Sequence, residues 1–167
     1  RRPVNSALGT TEAILSISTA VYEAAGRSLE LAHQLEATLV SLLLLADGLR
    51  SGSPQHVFDN RYLQLLERIE QQMLGKSISR LLELRPELSD SAHILKIALK
   101  ARNQLAHGIF ASKKVSEMTD SELSDLKASL EYIELDLRGG LSVAAELATP
   151  LVDEWISARL AGGLEWE

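Results

Sequence analysis

Arg102, Asn103 and His107 lie together in "LKARNQLAHGIF", residues 99–110. An arginine offers a planar, permanently charged fork to phosphate or carboxylate oxygens. A histidine transfers protons near neutrality, and an amide can hold an oxygen or fix an imidazole tautomer. Read as a helix with Ile94 at 0°, the segment puts Ile97, Ala101, Leu105, Ala98, Leu95, Ala106 and Leu99 on one arc, from about 300° to about 140°. Arg102 falls inside that arc, near 80°, while Lys96 and Lys100 fall near 200° and 240° on the solvent side. Asn103 and His107 share a face at the arc's edge. An unpaired guanidinium in apolar surroundings is costly. Either an acidic side chain answers Arg102, or it lies at a cleft or an interface, or its long stem snorkels to water. His107 has a plain reading too, as a favourable residue in a helix's last turn.

Charge is unevenly spread. The chain of 167 residues carries a net −6, which by itself argues against a nucleic-acid partner. Yet Ser91–Ser116 holds five basic residues (Lys96, Lys100, Arg102, Lys113, Lys114) and no acidic one, leaving 12 basic against 23 acidic residues elsewhere. An acidic body with one cationic segment can draw a polyanion to one place.

The elements that must carry these residues read as helices throughout. A Leu-, Ala-, Glu- and Ser-rich chain with 4% aromatics favours helix over sheet. A first helical region runs from about residue 11 to 48, with an interruption expected near Gly26; Leu31, Leu35, Leu39, Leu42 and Leu45 or Ala46 form its buried stripe. "RSGSP" (50–54) is a break. A second helix is expected over about 59–73, then a short one after Gly75 that stops at Pro86. The motif-bearing helix spans about 89–108, with Ser89–Ser91 as capping candidates and Gly108 at its end. "ASKKVSEM" reads as a loop. A last helical region, about 120–160, opens at Thr119, Asp120 or Ser121 and is expected to bend or break at Gly139–Gly140 and Pro150. The fold class is all-α: a single domain over 1–167, built as an up-and-down helical bundle.

"RNQLAHG" resembles the R-X4-6-H signature of the HEPN superfamily, in its Arg-Asn-x-Leu-Ala-His-Gly form. "MLGKSISRLLEL" and the Leu-rich helix after it also look like the approach to that motif. The likeness extends over about 10–140, with recognisable residues between about 73 and 110. The resemblance implies a helical bundle that pairs as a two-fold homodimer and brings two R-X4-H motifs to one cleft. It implies a metal-independent endoribonuclease, of the kind found among toxins and antiviral defence effectors, or else a non-catalytic module binding a nucleotide or protein. By resemblance Arg102 and His107 are the motif's Arg and His, and Asn103 its polar companion. Glu36, which interrupts an apolar stretch, is the candidate acidic residue from an early helix, with a solvent-facing glutamate as the plain alternative. Lys96, Lys100, Lys113 and Lys114 are the candidate RNA-binding residues. An antitoxin or regulatory protein would be a separate chain. The extended form of the motif is absent: Gly108 and Ala111 stand where its Tyr and second His would be.

Nothing else in the sequence carries a comparable signal. No metal site and no cofactor are expected, since His33, His56 and His93 have no ligand spacing with nearby carboxylates and read as surface or boundary residues. No glycine-rich phosphate loop or G-x-S-x-G elbow occurs. Trp155 and Trp166 read as packing or terminal residues. With no cysteine, no membrane span read from the longest apolar run (Leu39–Ala46), and no evident leader, a cytoplasmic location is expected.

Overall fold

A computed structural model describes residues 6–51, 74–111 and 114–161. Four α-helices account for nearly all of them, and no strand occurs among the described residues. They are α1 (Ser6–Arg50), α2 (Leu74–Leu84), α3 (Ala92–His107) and α4 (Asp120–Ala161). The helix expected over 59–73, with His56 and Trp166, lies outside the described residues.

Helix α1 is one helix through Gly26 rather than two. Nothing lies near the Gly26 Cβ position. The roughly 1 kcal/mol a mid-helix glycine costs is offset by buried Val21, Ala24, Ala25 and Ser28 on the neighbouring turns. The Leu stripe is buried as its spacing requires: Leu31, Leu35, Leu39 and Leu42 are at most 8% exposed. The Ser16–Arg50 stretch of α1 is also long and apolar enough to cross a membrane, by length and composition alone. The apolar run Leu39–Ala46, broken only by Ser41, lies within this longer stretch. In this fold its apolar side packs on α4, the largest helix–helix contact.

The direction of each helix follows from its contacts. Ser28 Oγ donates to the Leu130 carbonyl at 3.5 Å, and Leu35 lies against Gly140, so α1 and α4 rise in the same sense. Arg85, just before α3, pairs with Glu154 at 2.7 Å, whereas Ala98 meets Gly140; α3 therefore runs opposite to α4. The core is the seam these helices share, including Leu35, Leu95, Ala98, Leu130 and Leu137, each at most 1% exposed.

Helix α4 corrects the expected break. It continues through Gly139–Gly140 and through Pro150. A Cβ on Gly140 would overlap the Ala98 Cβ, so this glycine is the notch that lets α3 cross α4 at backbone distance. Beyond Pro150, Leu151 and Trp155 remain buried on the same side, and that packing carries the helix past one missing hydrogen bond. The start of α4 is a capping box: Thr119 Oγ1 accepts from the Glu122 amide at 3.3 Å, and the Glu122 carboxylate accepts from the Thr119 amide at 2.7 Å. Of the three candidates, Thr119 caps.

At the start of α3 the expected cap is absent. Pro86–Ser91 form a 3-10 turn, and Ser91 has helical dihedrals with no side-chain capping bond. The turn feeds directly into the helix, so α3 needs no separate side-chain cap. A second 3-10 turn, Val115–Glu117, sits inside the segment read as loop.

Candidate functional site

Helix α3 presents its motif on two sides. Its first half is anchored by Leu95, Ala98 and Ala101, all buried. Its last turn has only Leu105 buried, and Asn103, Gln104, Ala106 and His107 are exposed. The helix ends where the Gly108 and Ile109 amides both donate to the Gln104 carbonyl, at 2.9 and 3.0 Å. Gly108 keeps a negative φ of −113°, so it is not there for a left-handed turn. A Cβ on it would stand 3.1 Å from the Gln104 oxygen.

Arg102 points to α1. Its Nε donates to Glu36 Oε1 at 2.6 Å, and each side chain keeps 32% of its surface exposed. Of the three outcomes the sequence left open for Arg102, an acidic partner is the one realised, and it is Glu36. Because neither side chain is sealed, water and solutes reach the pair from one side. Arg102 Nη1 also donates to Asn103 Oδ1 at 3.4 Å, a long bond. Among the described residues, Arg102 Nη2 has no partner.

His107 lies elsewhere. It lines an open groove of about 470 Å3 with Lys96, Leu99, Lys100, Asn103, Gln104 and Gly108. Arg102 does not line this groove. That agrees with the helix geometry, which places residues 102 and 107 about 140° apart. Asn103 belongs to both sides: it takes the Arg102 bond and faces the groove. Glu36, Arg102, Asn103 and His107 thus form a sequence of neighbours around the end of α3, not a single pocket within one chain.

The candidate lysines divide. Among the described residues, Lys96 and Lys100 form no ion pair. Seven described cations, Arg27, Arg80, Arg85, Arg102, Lys114, Lys127 and Arg138, do pair with carboxylates. Lys114 is held loosely by Glu117 at 3.9 Å and stands apart from the groove. Lys113 lies outside the described residues. Gln104, which the sequence reading passed over, joins the groove; its signal was its place four residues after Lys100.

Of the remaining histidines, His33 and His93 are exposed as expected. Trp155 is a packing residue, 6% exposed, with the Arg159 guanidinium 5.3 Å from its ring centre. No family model, no curated protein and no solved structure matches this chain.

Proposed function

We propose that this chain is a HEPN-like, metal-independent endoribonuclease that works as a two-fold homodimer through paired R-X4-H motifs. The observation that carries the reading is the run of contacts Glu36–Arg102–Asn103 leading into the groove of His107, Lys96 and Lys100. Glu36 fixes the Arg102 Nε edge, which leaves Nη2 for a phosphate oxygen. A charge-assisted bond there stabilises the negative charge that grows on phosphorus during cleavage.

The reaction needs no group beyond RNA and these side chains. The 2′-oxygen bonds to the adjacent phosphorus and the bond to the 5′-oxygen breaks, giving a 2′,3′-cyclic phosphate and a 5′-hydroxyl. A neutral His107 takes the 2′-hydroxyl proton, and a protonated His107 from the second copy gives one to the 5′-oxygen. One histidine per chain cannot hold both states at once, and two-fold pairing supplies the other. Lys96 and Lys100, which pair with no carboxylate among the described residues, hold the neighbouring phosphates. A toxin or antiviral defence role, with any antitoxin on a separate chain, fits an activity of this kind.

A second reading has its own observation. Glu36 compensates the Arg102 charge, and in one chain Arg102 and His107 face different ways. That arrangement suits a non-catalytic module binding a nucleotide or protein partner.

Cleavage of end-labelled RNA in EDTA separates the two. The nuclease reading expects cyclic phosphate ends that vanish in folded His107→Ala and Arg102→Ala chains. No cleavage across structured and unstructured RNAs would leave the binding module.

A further inference from the structure

The solvent side of α4 repeats the spacing of a helix seam. Ala128, Tyr132, Leu135, Gly139 and Ser142 recur at steps of four and three residues, the a/d pattern of a coiled coil. Tyr132 and Leu135 lie about 200° and 140° around the helix from buried Leu130, and they are 72% and 64% exposed. Tyr132 and Leu135, one turn apart, make with exposed Ala128 and Ser142 a seam that α1 and α3 leave open; Gly139 alone among the five borders α3, where a Cβ would stand 3.9 Å from the Ile94 side chain.

We propose that this face of α4 docks on the same face of a second copy of the chain, with the two helices antiparallel. The flanking charges select both the partner and the direction. In a parallel pair, Glu131 would face the partner's Asp136, like against like, twice over. In an antiparallel pair with Tyr132 packed on the partner's Leu135, Glu131 of each chain meets the partner's Arg138, so the seam is bordered by two opposite-charge pairs related by symmetry. The same register sets Ala128 against the partner's Gly139, small against small, so the backbones can approach. Both charges are available. Arg138 bonds Glu134 at 2.8 Å, but Glu134 also holds Arg27 at 3.1 Å and keeps that partner if Arg138 turns away. Among the described residues, Glu131 is held only by Lys127 on its own helix.

The seam is short, four helical turns, and lies below the roughly 800 Å2 per partner of tight complexes. A reversible dimer in the micromolar range is the expected strength. The contact does not rest on the ribonuclease reading, because none of its residues belongs to the α3 motif; if both hold, this is the dimer that must bring the two motifs to one cleft.

Sedimentation equilibrium of the full chain from about 5 to 500 μM tests it, across the micromolar range. The mass is expected to double with concentration, and Leu135→Glu is expected to remain monomeric with an unchanged helical spectrum. Glu131→Arg alone should weaken dimerisation about tenfold or more, and adding Arg138→Glu to it should restore the dimer. The native chain has no cysteine, so Leu135→Cys gives a single thiol. In this register two such thiols are offset by only about 4.5 Å along the helices, against about 16 Å for Ala128→Cys. A short bis-maleimide should therefore link the first pair and not the second. A chain that stays monomeric, a dimer indifferent to Leu135→Glu, a charge swap that fails to restore, or equal cross-linking at 128 and 135 would each overturn the proposal. A dimer lost in Arg102→Ala and His107→Ala but kept in Leu135→Glu would place the contact at the α3 motif instead. Dimerisation through α4 without RNA cleavage would leave this inference standing and remove the nuclease reading alone.

Discussion

The two halves of α3 are built to opposite rules. From Ala92 to Ala101 the helix is wedged between α1 and α4, with Leu95, Ala98 and Ala101 no more than 1% exposed and Ala98 set into the notch at Gly140. From Arg102 to His107 the same helix offers an ion pair, two amides and an imidazole to solvent. A buried side chain in the first half acts through packing; an exposed one in the second acts through charge and hydrogen bonds. Substitutions in the two halves should therefore separate stability from activity.

The largest expected effect breaks the second half alone. His107→Ala and Arg102→Ala should each lower RNA cleavage by about 10²–10⁴-fold. His107→Ala should do so with little change in the urea midpoint, because the side chain is exposed. A large stability loss in His107→Ala would show that the exposed turn is not independent of the core. Leu95→Ala is the opposite cut. It should destabilise the chain by about 2–5 kcal/mol in urea unfolding, and the folded fraction should retain its activity. Gly140→Ala comes next, at about 1–3 kcal/mol, since the new methyl meets the Ala98 methyl and the helices must part. The smallest effect sharpens the boundary between the halves. Glu36→Gln leaves an oxygen for Arg102 Nε but removes the charge, and for a pair this exposed the stability change should be below about 1 kcal/mol. A cleavage change much greater than this would identify Glu36 as the residue that positions Arg102.

Acid gives a control remote from both halves. Hydrogen bonds from Arg138 and, secondly, Arg27 hold the Glu134 carboxyl below the usual carboxylate range, against partial desolvation that acts to raise it. A depressed folded value means that the stabilisation is fully present above the ordinary value near 4.3. It is lost as pH falls through the lower folded value. Thermal melts of the native chain and Glu134→Gln should differ by a small margin at neutral pH and converge in strong acid.

Much of this was legible in the sequence where the governing interaction is local. The Leu stripe of α1 and the all-helical class follow from periodicity, and an N-cap within Thr119–Ser121 from the short polar residues there. The need for a partner at Arg102 could be read from the helix arc, and Glu36 from its position in an apolar stretch. That these two meet is a tertiary fact, fixed by how α1 and α3 cross. The glycines were misread for the same reason. Gly26, in open space, and Gly140, pressed against Ala98, have the same backbone propensity, and only the neighbouring helix distinguishes a tolerated glycine from a required one. The two-sidedness of the motif was visible in the helix angles, whereas the groove that takes His107 and leaves Arg102 out needed the fold.

The contact between Ala98 and Gly140 also acts as a fulcrum. Backbones that touch at one point leave a helix freer to tilt about that point than to slide along it. His107 lies nine residues further on, about 13 Å along α3, so a tilt of about 4° carries its ring about 1 Å, a displacement large enough to cost about 10²-fold in rate. A methyl group added at the fulcrum should therefore register at the far end of the lever, in the alignment of the imidazole, before it unfolds anything.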